Sequence, residues 1–413
     1  MKTLRALLWT FAFAILFTAG FVHKDFRSGR PVSLSQILLL AKQEDSSATA
    51  DRVFKENYNR IEANYYKPVN TRDLQYAGYQ GMFASLGDPH TNFLPPPIAR
   101  EFDVQTHASF VGIGARVESN SLGGRFVTIF PNSPAQEAGI IPGDVITAVD
   151  GVATAGKTVD EVVDRIRGKE GTKVKVRILR DNKKVINLTL KRREIIAPTV
   201  TDAYLDGPQV AYVQIATFSA PTASQFDKAL DRVMAKPVRG LVIDLRGDPG
   251  GYLETAIDLI SRFVEDKLVL RMKSFGGKEE IATGYSGSLR NIKVPIVLLV
   301  DSETASAAEI FAGNLKDYHI ATLVGEHTYG KNEVQDVFPL KDGSTAKITI
   351  AKYLLPSTPD IGRKVDEDGR FISGGIEPDF KVNVDPDLVV EFGNPSKDPV
   401  LQRALDVIKS KTN

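Results

Sequence analysis

Ser306, Lys331 and Gln335 are the residues whose types and spacing point to chemistry. Ser306 lies in Thr304-Ala305-Ser306-Ala307-Ala308, after the apolar run 294–300 and before Ile310, Phe311 and Leu315, which recur in helical rhythm. This places a serine where a buried strand gives way to a helix N-terminus, with free backbone N–H groups and the helix dipole facing the same way. The flanking alanines leave room for a substrate backbone. A second apolar stretch, 320–324, ends in Gly325 and delivers Lys331 and then Gln335. A serine at a helix start is ordinarily an N-cap, and a loop lysine is ordinarily a solvated charge. Together they can act as nucleophile and base if burial lowers the lysine pKa from ~10.4 and leaves the amine neutral. Gln335, four residues on, can orient that amine.

The stretch 244–251, Asp-Leu-Arg-Gly-Asp-Pro-Gly-Gly, closes another buried run. Its glycines let the backbone approach a ligand. The amides of Gly250 or Gly251, with that of Ala307, can form an oxyanion hole worth ~3 kcal/mol per donor. Rival chemistries share these residues. Residues 325–331 satisfy G-x-x-x-x-G-K after a strand, but Asn332 stands where a phosphate loop needs Ser or Thr, and an extended segment follows where it needs a helix. His327, with Asp301 or Glu309, is an alternative base for Ser306. Ser344-x-x-Lys347 enters a strand where that motif opens a helix. Arg246-Gly247-Asp248 spells an adhesion tripeptide beside a buried strand, and we read it as coincidence.

Composition narrows the class. The 413 residues are 42% hydrophobic and 25% charged, which suits two or three folded domains. A net charge of +1 argues against nucleic acid as partner. There is no cysteine, so disulfides and thiolate chemistry are excluded. Five scattered histidines without metal-ligand spacing imply no metal and no cofactor. Lys2 and Arg5 precede an uncharged run, 6–22, of roughly 25 Å as a helix against a hydrocarbon core of ~30 Å. Residues 1–23 therefore read as a signal peptide or signal anchor, with cleavage and membrane anchoring both open. The expected location is outside the cytoplasm, periplasmic or membrane-anchored.

Residues 24–47 read as a linker and 48–108 as an N-terminal helical region. From 109 to 193 the chain turns to short strands. Val111-Gly112-Ile113-Gly114, Ser133-Pro134-Ala135, Ile141-Pro142-Gly143-Asp144, a helix over 158–167 and two alternating strands follow in order. This set resembles a PDZ domain. The resemblance implies capture of an extended chain end, with a terminal carboxylate in a backbone nest at Gly112, Ile113 and Gly114 and the peptide added as a strand. From 194 to 385 strands and helices alternate, which predicts an α/β layer. Residues 386–413 form a C-terminal helical tail. The fold class is α/β and multidomain, an α/β core with an N-terminal helical region and a PDZ-like β-rich domain.

Thr-Ala-Ser-Ala-Ala-Glu-Ile at 304–310, Tyr-Gly-Lys-Asn-Glu-Val-Gln at 329–335 and the 244–251 stretch together resemble the carboxyl-terminal processing (tail-specific) serine proteases. Gly-Asp-Pro-His-Thr at 87–91 and Gly-Gly-Ile-Glu-Pro-Asp at 374–379 fit as well. In that family the middle serine is the nucleophile, a lysine twenty-five residues later is the base, and a glutamine follows after four more; Ser306, Lys331 and Gln335 match. The family usually has F-G-K-G-x-V-Q and often N-N-P-G-G. Tyr329, Asn332 and Gly247-Asp248-Pro249 depart from those patterns. The resemblance implies a serine endopeptidase that cleaves proteins near their C-termini without a cofactor, its substrates being protein or peptide C-termini. Arg167 is a candidate relay between PDZ-like domain and protease, or else a cation at a helix end. A homo-oligomer or an adaptor protein as further partner stays open. The alternatives are a PDZ scaffold with an inactive protease fold and a hydrolase using His327.

Overall fold

The computed structural model describes residues 34–412 except 359, 386, 387 and 389, with side chains from residue 49. The N-terminal apolar segment lies outside the described residues. Among the described residues, no helix is long and apolar enough to cross a membrane.

Two compact units divide at Ser85 and Leu86. The first contains the helices Leu34–Asn64 and Thr71–Ala84. Asn70 caps the second by accepting the Arg72 and Asp73 amides. The first helix begins at Leu34, inside the stretch read from sequence as a linker. Its Leu-Leu-Leu-Ala-Lys-Gln-Glu run consists of strong helix formers without a glycine or proline.

Within the second unit, six strands form the central sheet, in the order Val200–Leu205, Val210–Ile215, Gly240–Asp244, Ile296–Val300, Ala321–Gly325 and Phe380–Lys381. Only the first pair is antiparallel. Three middle strands are buried throughout, as a parallel sheet covered on both faces requires. Alternate side chains serve opposite faces. Ile243, Leu298 and Val300 pack with Phe226, Leu259 and Phe311 of the helices Thr222–Met234, Leu253–Ile260 and Ala307–Asp317. Val242, Val297 and Leu299 pack with Leu401, Ala404 and Val407 of the helix Pro399–Thr412.

A second, antiparallel sheet lies in the same unit. Its strand Thr345–Leu354 pairs with Asn92–Leu94, Leu268–Ser274 and Glu333–Pro339. The PDZ-like part has its own core, in which Phe126, Ile146, Val162, Val174, Val176 and Ile178 are buried together. Its strand Lys173–Arg180 alternates exposed and buried residues, and its helix Val159–Ile166 starts in a capping box between Thr158 and Glu161. The segments Ser109–Gly112 and Arg193–Ile196 enter and leave this part as one antiparallel ribbon.

The C-terminal helix is bolted to the sheet by a buried ion cluster. Arg246 donates to Asp244 (2.6 Å) and to both Asp398 oxygens (3.0 and 2.6 Å), and Tyr212 donates to Asp244 (2.6 Å). Asp398 also accepts the Val400 and Leu401 amides at the helix start. Removing one partner strands the other charge in the interior. Asp398→Ala should therefore lower the unfolding free energy in urea by about 3–5 kcal/mol; a loss under about 1 kcal/mol contradicts this account.

Candidate active site

Three turns leave the carboxyl ends of adjacent parallel strands, where open α/β sheets place their ligands. Residues 245–252 follow Gly240–Asp244, residues 301–306 follow Ile296–Val300, and residues 326–332 follow Ala321–Gly325. These turns carry the glycine stretch, Ser306 and Lys331.

Ser306 has φ 54° and ψ −116°, a backbone region sparsely populated for a residue with a Cβ. It stands at the tip of a sharp strand-to-helix turn, with buried Ala305 and Ala307 on either side. Such a turn is held only if its surroundings over-determine it. Glu309 does much of that work. Its carboxylate, fully buried, accepts the Ser306 amide at 2.9 Å, the Lys331 amide at 2.9 Å, the Gly330 amide at 2.7 Å and the Thr328 hydroxyl at 2.5 Å. Tyr353 completes the bracket from the second sheet. Its buried phenol donates to the Lys331 carbonyl at 2.6 Å and reaches the Ser306 carbonyl at 3.4 Å. One acid and one phenol thus tie the backbones of the two turns together. Burial pushes the Glu309 carboxyl up, and the four donors pull it back.

The Lys331 side chain is partly buried. Burial pushes its amine below the ordinary lysine range, and the positive charge of Lys347 pushes the same way, against Glu333, Glu309 and Asp88. Among the described residues no hydrogen bond joins Ser306 to the Lys331 amine. Gln335 donates to Thr349 at 3.2 Å rather than to Lys331. Thr349 is held in turn through its amide by Thr91, whose hydroxyl donates to Asp88 at 2.7 Å. The Gly-Asp-Pro-His-Thr stretch is thereby joined to the lysine strand.

The glycine turn comes close to Ser306. A Cβ on Gly250, whose φ is +94°, would lie 2.6 Å from the Ala305 carbonyl oxygen, 2.7 Å from the Ala307 nitrogen and 2.9 Å from Ser306 Cβ. Only glycine fits. The Gly250 amide donates to Asp248 at 2.8 Å. The amides of Gly251 and Ala307 have no acceptor among the described residues.

In the PDZ-like part, Gly114 has φ +78°, and its carbonyl accepts the Phe130 amide at 3.0 Å. The Ile113 carbonyl accepts the Ala135 amide at 2.8 Å, while the Ile113 and Gly114 amides have no acceptor among the described residues. Gly112 closes the connecting ribbon opposite Arg193. Arg167 follows the Val159–Ile166 helix and pairs with Asp164 of that helix at 4.0 Å.

The rival chemistries find little geometric support. Lys331 is followed by the strand Glu333–Pro339, which no phosphate loop has. His327 stacks on Phe371 with ring centroids 4.1 Å apart, and its Nδ1 contacts the Thr328 carbonyl at 2.9 Å. Asp301 is engaged by the amides of Gly247, Glu303 and Thr304. Lys347 lies in the strand Thr345–Leu354. Arg246 and Asp248 are buried, which rules the adhesion tripeptide out as a surface ligand.

Sequence reasoning quoted Glu309 only within its motif and as an acid for His327. The S-x-x-E spacing of Ser306 and Glu309 is a capping-box signature and marks the bond between them. Nothing local marks Tyr353, because its partners lie 22 and 47 residues away. Glu309→Ala should release the Ser306 and Lys331 amides together. We expect a stability loss of about 3–5 kcal/mol and activity reduced by about 10²-fold. A folded variant with near-normal turnover contradicts that role.

Comparison with known proteins identifies the family. Residues 209–382 match the family model for peptidase family S41, and residues 126–180 match one for a PDZ domain. The chain is 36% identical over 347 residues to the carboxy-terminal processing protease CtpA of Bacillus subtilis (strain 168), covering 83% of this chain and 71% of that relative. It is 32% identical over 411 residues to a carboxyl-terminal-processing protease of Synechocystis sp., covering 97% of this chain and 93% of the other. Among solved structures, the photosystem II D1 C-terminal processing protease aligns with 87% of this chain and 97% of its own at 26% identity, with a TM-score of 0.45. The chain belongs to the carboxyl-terminal processing proteases of peptidase family S41, serine-type peptidases, and carries a PDZ domain.

Proposed function

We propose that this protein is an exported endopeptidase that cleaves proteins near their C-termini with a dyad of Ser306 and Lys331. One observation carries the reading. The backbones of these two residues share one buried acceptor, Glu309, and one buried donor, Tyr353, beside two unengaged amides. A chance serine and lysine need no such bracket.

In this mechanism neutral Lys331 removes the Ser306 proton and the serine oxygen attacks the peptide carbonyl. The amides of Ala307 and Gly251 receive the oxyanion. The Lys331 ammonium then protonates the leaving amine, and water, activated by the same lysine, releases the acyl-enzyme. The serine–lysine contact forms as substrate binds and desolvates the cleft; catalytic hydrogen bonds are often unmade in an empty site. Gln335 exchanges its long bond to Thr349 for the lysine amine. The PDZ domain catches the substrate's terminal carboxylate at Ile113 and Gly114 and feeds the chain to the cleft. Arg167, paired within its own helix, is read here as a helix-end cation rather than a relay. The apolar segment 6–22 supports export, with cleavage and anchoring still to be distinguished.

Purified Ser306→Ala and Lys331→Ala should each lose cleavage of a protein with an apolar C-terminus by about 10³-fold or more, while unfolding at the wild-type temperature. His327→Ala should stay near wild type. Retained activity in either of the first two, or loss in the third, overturns the dyad. Amidating the substrate's C-terminus should raise KM about tenfold or more and leave kcat nearly unchanged; equal KM values overturn carboxylate capture.

A further inference from the structure

The carboxylates around the site are well served, with one exception. Glu309 receives four donors, Asp301 holds the amides of Gly247, Glu303 and Thr304, and Asp244 and Asp398 share Arg246. Asp248 receives one. It is completely buried; its Oδ1 accepts the Gly250 amide at 2.8 Å, and its Oδ2 is buried without any partner. Its backbone is pinned as well, the carbonyl accepting the Ala305 amide at 2.9 Å and the amide donating to the Leu245 carbonyl at 3.1 Å.

Among the described residues no cation pairs with Asp248. Arg246, two residues back, is spent on Asp244 and Asp398. The neighbouring turn presents Asp301, bonded to the Gly247 amide, and Glu303, which lies close to Gly247. Among the other charged groups of the site, Glu309 faces the serine and lysine amides, and Lys331 lies on the third turn. An ionised carboxylate with one oxygen buried and unmatched, beside another carboxylate, neutralises instead.

We propose that Asp248 is a positioning residue that works as an uncharged carboxylic acid: Oδ1 holds the Gly250 amide, Oδ2 carries a proton, and the Gly251 amide is left as the oxyanion donor. A protonated aspartic acid has the same shape and the same acceptor-plus-donor pattern as an asparagine amide. Burial and the Asp301 charge push the carboxyl well up, with only the Gly250 amide pulling it down.

The kinetic part of this inference rests on the dyad reading; the protonation part does not, and the test separates them. Infrared difference spectra of wild type minus Asp248→Asn at neutral pH should contain the carbonyl stretch of a protonated carboxylic acid. Turnover should be within about threefold of wild type in Asp248→Asn, because the amide still holds Gly250. It should fall about tenfold or more in Asp248→Ala, in kcat rather than KM, with both variants folded by thermal unfolding. A difference spectrum with only carboxylate bands overturns the proposal. So does an Asp248→Asn variant as impaired as Asp248→Ala. If no enzyme form cleaves peptide, the dyad reading fails while the infrared result still decides the protonation.

Discussion

Everything at the centre of this protein depends on where the Glu309 carboxylate sends its lone pairs. A serine with positive φ at the tip of a sharp turn is unstable in isolation, and so is a lysine loop between two strands. Glu309 accepts from both backbones at once, and Tyr353 donates to both from the opposite sheet. Because the carboxylate is buried, each bond is worth more than it is in water, and losing one leaves a stranded charge. The bracket converts two loops from different strands into a single object of fixed geometry. It fixes the two backbones at Ser306 and Lys331.

The parallel sheet supplies the frame for that bracket. Its polarity brings three consecutive turns to one edge, and the complete burial of its three middle strands keeps them there. The glycine turn is anchored behind by Arg246, Asp244 and Asp398, so the C-terminal helix is mechanically continuous with that turn. In front, the turn approaches Ser306 so closely that a single methyl at Gly250 would meet backbone atoms. Lys331 gains its lowered affinity for protons from the same compactness, since burial and a second lysine both oppose its charge.

Much of this was legible in the sequence because the signals are local or fall at fixed spacing. The all-apolar runs 294–300 and 320–324 marked two of the parallel strands, Ile296–Val300 and Ala321–Gly325. The helix expected over 158–167 was legible from its one apolar face, and it forms as Val159–Ile166. Of the residues expected at the protease site, Gly250, Gly251, Ser306 and Lys331 lie on three neighbouring turns, whereas Ala307 opens the helix Ala307–Asp317 and Gln335 lies on the strand Glu333–Pro339. What stayed hidden depends on long-range pairing. The strands Leu268–Ser274 and Glu279–Thr283 carry two basic and two acidic residues, so their polar outer faces mask them; they exist because Leu268–Ser274 pairs with both Glu279–Thr283 and Thr345–Leu354. Tyr353 and Asp398 act on partners 22 to 152 residues away. The segment from Leu34 read as a linker because its helical propensity lies outside any amphipathic pattern. The Gln335–Thr349 bond was equally invisible, because strand register decides it.

The central claim is that a desolvated lysine, with no help from histidine, activates Ser306. The most direct measurement is the pH dependence of covalent labelling at Ser306 by a serine-directed phosphonate, read by mass spectrometry of the labelled peptide. The account predicts a rate that rises as one group loses its proton, with a midpoint below the ordinary lysine value of ~10.4 and above that of histidine. Lys347→Met should move that midpoint upward, because the positive charge that opposes the Lys331 ammonium is gone and only burial still lowers it. Lys331→Ala should abolish the rise. A midpoint near ~6.5 that survives in Lys331→Ala and disappears in His327→Ala would contradict the account.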